Sequence, residues 1–147
     1  MAEIDIEGIR RVLPHRYPFL LIDRVLEFDG RHVVALKSVS ANEPFFQGHF
    51  PPPLEAVMPG VLIVEAMAQT AAFLAFAPEG EDPKMGYLVG IEKARFRRRV
   101  VPGDRLRLEA KLTRRKRELL RADVTAHVDD QKAASATLSI VLPYGSP

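Results

Sequence analysis

The sequence predicts an α+β fold, an antiparallel β-sheet wrapped around one long apolar helix, and three features carry that expectation. Residues 58–77, MPGVLIVEAMAQTAAFLAFA, are apolar almost throughout, with Glu65 and Gln69 near the middle. A helix so uniform needs cover on nearly all sides. Asp29-Gly30 separates two β-rich runs in the manner of a hairpin turn. After Tyr87 several runs alternate apolar and polar residues, as in Arg105-Leu106-Arg107-Leu108-Glu109-Ala110-Lys111-Leu112, so that one face turns inward and the other meets water.

Taken in order, Ile6, Ile9, Val12 and Leu13 recur at helical spacing, Asp5 stands where an N-cap belongs, and Pro14 stops the run. A short amphipathic helix is expected there. Residues 19–40, FLLIDRVLEFDGRHVVALKSVS, read as two antiparallel strands about Asp29-Gly30. Residues 41–60 are too rich in proline and glycine for regular helix or central strand. That is a long loop, and long loops in compact domains tend to be functional. Pro59-Gly60 then opens the apolar helix, which is expected to end near Pro78-Glu79-Gly80. Three or four strands should follow, over about 87–100, 105–117, 119–128 and 133–142. No internal repeat or linker divides the chain, and 147 residues suit a single domain over 1–147.

Composition narrows the chemistry. With 47% apolar and 27% charged residues the chain is suited to a packed core rather than to disorder. It has no cysteine, which removes disulfides, thiolate metal sites and a cysteine nucleophile, and its four histidines show no metal-ligand spacing. The expectation is no metal and no cofactor. The start, MAEIDIEGIRRVL, lacks the basic and apolar regions of a secretory signal, and the apolar run carries Glu65 and Gln69 where a membrane span would not, so a cytoplasmic protein without membrane association is expected. Net charge is +2, but basic residues crowd into IEKARFRRRVVPGDRLRLEAKLTRRKRELLR, a stretch suited to an acidic partner.

The candidate chemistry begins with Glu65. Among Val61, Leu62, Ile63, Val64, Ala66, Met67 and Ala68, its carboxyl is expected to favour the protonated form, which can donate to a leaving oxygen. The plain alternative is a carboxylate paired with a buried arginine or lying at an interface. Gln69, one turn on the same face, could hydrogen-bond Glu65 and reads as an orienting or structural group rather than a catalyst. His49 lies in Phe45-Phe46-Gln47-Gly48-His49-Phe50-Pro51, where apolar neighbours favour a neutral imidazole able to act as base. An acid and a base together are what elimination of water requires. At the helix start, either the backbone N–H groups of Gly60 and Val61 hold a carbonyl oxygen gaining negative charge, or Pro59-Gly60 merely opens the helix. Lys93, Arg95, Arg97, Arg98 and Arg99 form either an electrostatic docking site or the solvated face of a strand. His15-Arg16-Tyr17-Pro18 reads as structural. Nucleotide-binding, serine-hydrolase and zincin motifs are missing from the sequence.

Four strings in order, HRYPFLLIDR (15–24), NEPFFQGHFP (42–51), MPGVLIVEAMAQ (58–69) and LVGIEKARFRR (88–98) with VPGD (101–104), resemble the β-hydroxyacyl-acyl carrier protein dehydratase family of type II fatty acid synthesis. The resemblance spans nearly the whole chain. It implies a hot-dog fold, a homodimer of side-by-side sheets, often a hexamer as a trimer of dimers, and no cofactor. It also implies a site between subunits, with His49 of one taking the Cα proton, Glu65 of the other helping the β-hydroxyl leave, and the amide at Gly60 holding the thioester carbonyl. The basic surface would face acyl carrier protein bearing an acyl-phosphopantetheine. One departure is the stretch PPPLEAV between Phe50 and Met58, longer than the family pattern.

Rival readings are weaker. A thioesterase would not account for His-Phe-Pro together with Val-Glu-Ala-Met-Ala-Gln, and the related isomerising dehydratases carry aspartate where Glu65 stands. A non-catalytic carrier or acyl-chain binder would need neither His49 nor Glu65. Nucleic-acid binding is disfavoured because Phe96 is the lone aromatic in the basic cluster around it.

Overall fold

The computed structural model describes residues 3–76 and 85–142. Helix α1 (Ile6–Val12) begins as its sequence dictates: Asp5 is the N-cap and its side chain accepts from the Gly8 N–H at 3.0 Å. Ile9, buried, and Leu13 then enter the core. Arg16 turns back on the helix end and donates to the carbonyls of Arg10 and Leu13, which have no partner within the helix.

Strands β1 (Arg24–Phe28) and β2 (His32–Ser38) form the expected hairpin, with Gly30 at φ +90, a conformation open to residues without a side chain. Residues 19–22, expected to extend the first strand, do not. A turn closes on the Arg16 carbonyl, which accepts from the N–H groups of Phe19 and Leu20, and the backbone beyond it is engaged by the side chain of Gln69 rather than by a strand. Helix α2 (Gly60–Phe76) is the long apolar helix; its expected stop near Pro78 lies outside the described residues. Strands β3 (Tyr87–Phe96), β4 (Arg105–Lys116), β5 (Leu119–Val128) and β6 (Gln131–Val141) complete the chain.

The strands form one antiparallel six-stranded sheet in the order β1-β2-β4-β5-β6-β3. Helix α2 crosses the inner face, packing on β2, β4, β5 and β6. Alternation decides which side chains meet it: Leu106, Leu108 and Ala110 of β4 are buried, as are Leu120, Ala122, Val124 and Ala126 of β5. With Met67, Phe73, Leu138, Ile9 and Leu13 they make one core. Arg115, at the end of β4, donates to the Leu74 carbonyl at 3.0 Å and so places a cation at the negative end of α2.

Two expectations change. The strand expected over 87–100 stops at Phe96, because the Val100 carbonyl serves the Met58 N–H rather than β6. The enclosure of α2 is also incomplete: Val61 is 77% exposed and β3 is open over most of its length. Among the described residues, no helix is long and apolar enough to cross a membrane.

One buried charge holds the approach to the loop. Lys37 is only 4% exposed, and its ammonium donates to Glu43 at 3.0 Å while the Ser40 N–H donates to the same carboxylate oxygen. Replacing Glu43 with alanine strands that cation, and stability measured by urea unfolding should fall by about 3–5 kcal/mol. Pairing it with Lys37→Met should recover most of the loss, since the uncompensated charge is the cost.

Candidate active site

The loop between β2 and α2 contains a short 3-10 helix, Pro44–Gln47, whose Phe46 is buried and whose Phe45 ring meets it edge-on. The chain then presents His49 in a fixed setting. Its Nδ1 lies 2.6 Å from the Val57 carbonyl, and the Val57 N–H donates back to the His49 carbonyl at 3.1 Å. A carbonyl oxygen only accepts, so a neutral His49 carries its proton on Nδ1 and exposes a lone pair on Nε2. The Phe50 ring stacks on the imidazole at 4.0 Å between centroids.

The path of the long loop follows from the same bonds. The Phe50 N–H donates to the Glu55 carbonyl and the Leu54 N–H to that of Pro51, so residues 50–55 form an exposed, closed excursion whose two ends meet at His49 and Val57. Glu55 is further tied to Arg99 at 3.0 Å.

Glu65 stands on α2 and faces a groove lined by Pro14, His15, Ala68, Gln69, Ala72, Gly86, Leu88 and Ile140. Its side chain is 21% exposed, in line with the partial desolvation expected from its apolar neighbours. Gln69 is 1% exposed and satisfied on both sides of its amide. Its Oε1 accepts from the Leu21 N–H at 2.9 Å, and its Nε2 donates to the Phe19 carbonyl at 2.7 Å and to Glu65 Oε2 at 2.9 Å. Gln69 therefore fastens the loop at 19–21 and the carboxyl with one group. His15 also approaches that oxygen, with Nε2 at 3.5 Å, a contact that sequence reasoning missed because the residues lie fifty positions apart.

Gly60 and Val61 start α2 with N–H groups that find no hydrogen-bond acceptor among the described residues. Gly60 lines a second groove with Val57, Met58, Ile63, Val100, Phe96 and Arg97 to Arg99. A Cβ at Gly60 would sit 3.1 Å from the Phe96 ring, so the helix start and the end of β3 approach closely. Gly60 and Glu65, five positions apart on one helix, differ by about 7.5 Å along the axis and about 140° around it. The two grooves thus open on different sides of α2, one lined by Val57, the hydrogen-bond partner of His49, and the other by Glu65.

The basic residues do not share one strand face. Lys93 lies where β3 slips against β6 between Glu92 and Arg95, at φ +55, and Arg97, Arg98 and Arg99 lie beyond the strand. Arg98 is engaged by Asp104 at 3.6 Å and by Gln131, and Arg99 by Glu55. Lys93, Arg95 and Arg97 have no acidic partner within 4.0 Å among the described residues.

One long helix held in a six-stranded antiparallel sheet, with its carboxyl and its start opening on separate grooves, defines a hot-dog protein. Residues 13–137 match the family model of a FabA-like domain. The chain is 54% identical over 143 residues to the 3-hydroxyacyl-[acyl-carrier-protein] dehydratase FabZ of Anaeromyxobacter sp. (strain K), covering 95% of this chain and 90% of that one. It is 49% identical over 139 residues to the protein of the same name in Streptococcus agalactiae serotype V, covering 95% and 98%. This chain belongs to the FabA-like family. Among solved structures it resembles the dehydratase heterocomplex ApeI:P from Xenorhabdus doucetiae, with TM-score 0.78, 19% identity and coverage of 94% and 92%. It also resembles Cj0977 from Campylobacter jejuni, with TM-score 0.69, 17% identity and coverage of 94% and 89%.

Proposed function

We propose that this protein converts (3R)-3-hydroxyacyl groups on acyl carrier protein to trans-2-enoyl groups in fatty acid elongation. The observation that carries the reading is the fixed tautomer of His49, which leaves Nε2 as a base, alongside a carboxyl at Glu65 held through one oxygen. His49 Nε2 takes the proton from Cα, the C–H electron pair becomes the second bond to Cβ, and the Cβ–O bond breaks. Glu65 gives its proton to the departing hydroxyl, which leaves as water. Charge that builds on the thioester oxygen is met by the N–H groups of Gly60 and Val61 at the positive end of α2. No cofactor enters this scheme.

His49 and Glu65 act from different subunits of a homodimer in this reading. Two features support it: the grooves of one chain open on different sides of α2, and β3 is a sheet edge with Tyr87, Val89, Ile91 and Phe96 exposed. Such an edge invites the same strand of a second copy, which would continue the sheet. Three such dimers would make the hexamer that the family resemblance implies. Lys93, Arg95 and Arg97, with Arg98 and Arg99 beside them, form the docking surface for an acidic carrier protein. The same reading makes this a single-domain cytoplasmic enzyme.

The test is turnover of a 3-hydroxyacyl-acyl carrier protein by the purified protein, followed as formation of the trans-2-enoyl product. Product at rates typical of enzymes, on the order of 1–10³ per second, is the expected result. Binding of the acylated carrier without product would instead support a non-catalytic acyl-carrier binder.

A further inference from the structure

His15 belongs to a motif that the reaction scheme leaves without a chemical task. Its ring stacks on Phe19, with centroids 6.1 Å apart, and forms one wall of the groove that holds Glu65. Nε2 lies 3.5 Å from Glu65 Oε2, whereas Nδ1 is buried and has no hydrogen-bond partner. An orphaned buried N–H is rarer and costlier than an orphaned lone pair, so the proton belongs on Nε2, the ring nitrogen within 3.5 Å of the carboxyl. Burial is the largest influence on the ring and holds its pKa below the ordinary imidazole value; Glu65 opposes this and Arg16 adds to it. His15 is thus an uncharged donor at neutral pH. Among the described residues no other titratable group lines the groove: Gly86, Leu88 and Ile140 are apolar, and the Arg16 guanidinium is turned to the end of α1.

We propose that His15 is a positioning residue for dehydration, a neutral Nε2–H donor that joins Gln69 in holding Glu65 Oε2 and thereby reserves Oε1 for the proton given to the leaving hydroxyl. Neutrality is essential to the task. A lysine or arginine at the same place would hold the carboxylate equally well but would strip it of the proton it has to donate. An uncharged imidazole fixes the carboxyl without ionising it. The inference rests on the reading of Glu65 as the acid.

The experiment compares His15→Phe, His15→Gln and His15→Lys in steady-state turnover of the 3-hydroxyacyl-carrier substrate across pH, with Glu65→Gln in parallel. Phenylalanine keeps the ring on Phe19 and removes the donor, so kcat should fall about 10–100-fold with KM changed by less than about twofold. Glutamine restores a neutral N–H and should recover most of kcat, within about threefold of the parent. Lysine should shift the basic limb of the kcat/KM profile to lower pH. Parental kcat in His15→Phe, equal losses in the phenylalanine and glutamine variants, or an unmoved basic limb in His15→Lys would each overturn the proposal. Should His15→Phe fail to fold, the glutamine and lysine variants decide it through the pH profile. Substantial turnover by Glu65→Gln would remove the acid itself, whereas a dead Glu65→Gln beside a fully active His15→Phe would remove only the role of His15.

Discussion

Replacing Glu65 with glutamine should lower kcat for the dehydration about 10³-fold, within the range that a positioned general acid contributes, while leaving the fold in place. The new amide is close in shape to the carboxyl, and its carbonyl oxygen can still accept from Gln69 Nε2, which now donates to Glu65 Oε2 at 2.9 Å. Gln69 keeps its bonds to Leu21 and Phe19, so the loop that walls the groove stays fastened. What disappears is the proton for the leaving hydroxyl. Turnover with matched melting curves for parent and variant checks this; a rate within about tenfold of the parent would take the acid's role from Glu65.

Mixing two dead proteins should restore activity. His49→Asn keeps a side-chain N–H for the Val57 carbonyl but has no basic nitrogen, and as a homodimer it should lose about 10²–10⁴-fold in kcat, as should Glu65→Gln. In a mixed dimer, one of the paired sites receives both faulty residues and the other receives neither. Random exchange makes half of the dimers mixed, each with one working site, so about one quarter of parental activity should return in a two-fold symmetric assembly. Differently tagged protomers show whether exchange has taken place. Exchange without recovered turnover would mean that His49 and Glu65 serve the same site from within one chain.

Much of this architecture can be read from short-range pattern. The Asp29-Gly30 hairpin, the Asp5 cap, α2 and the alternation of β4 and β5 stand where periodicity and turn chemistry put them, because each is decided by neighbours within a few positions. The departures come from partners far away in sequence. Residues 19–22 have the composition of a strand, yet a single glutamine nearly fifty positions on takes up the Leu21 N–H and the Phe19 carbonyl. Val100 looks like strand and instead gives its carbonyl to Met58. The apolar sequence of α2 suggests cover on nearly all sides, but the exposure of Val61 and β3 leaves part of that cover to something other than the chain itself. His49, Glu65, Gln69, Gly60 and Val61 could be singled out from residue type and setting. The nearness of His15 to Glu65 could not, since it depends on a turn that only the tertiary fold creates.

The loop after His49 is shut at its neck by the mutual bonds of His49 and Val57, with a second tie from Phe50 to Glu55 just beyond. Position and length are thereby uncoupled in this part of the chain. The imidazole answers to the neck and to the Phe50 ring, while the exposed tip, Pro51 to Leu54, can change its length or chemistry without touching the bonds that hold His49. Descendants of such a protein can vary the tip at little catalytic risk, and an engineer can use it in the same way, as a place to graft a label or a recognition peptide beside a working site.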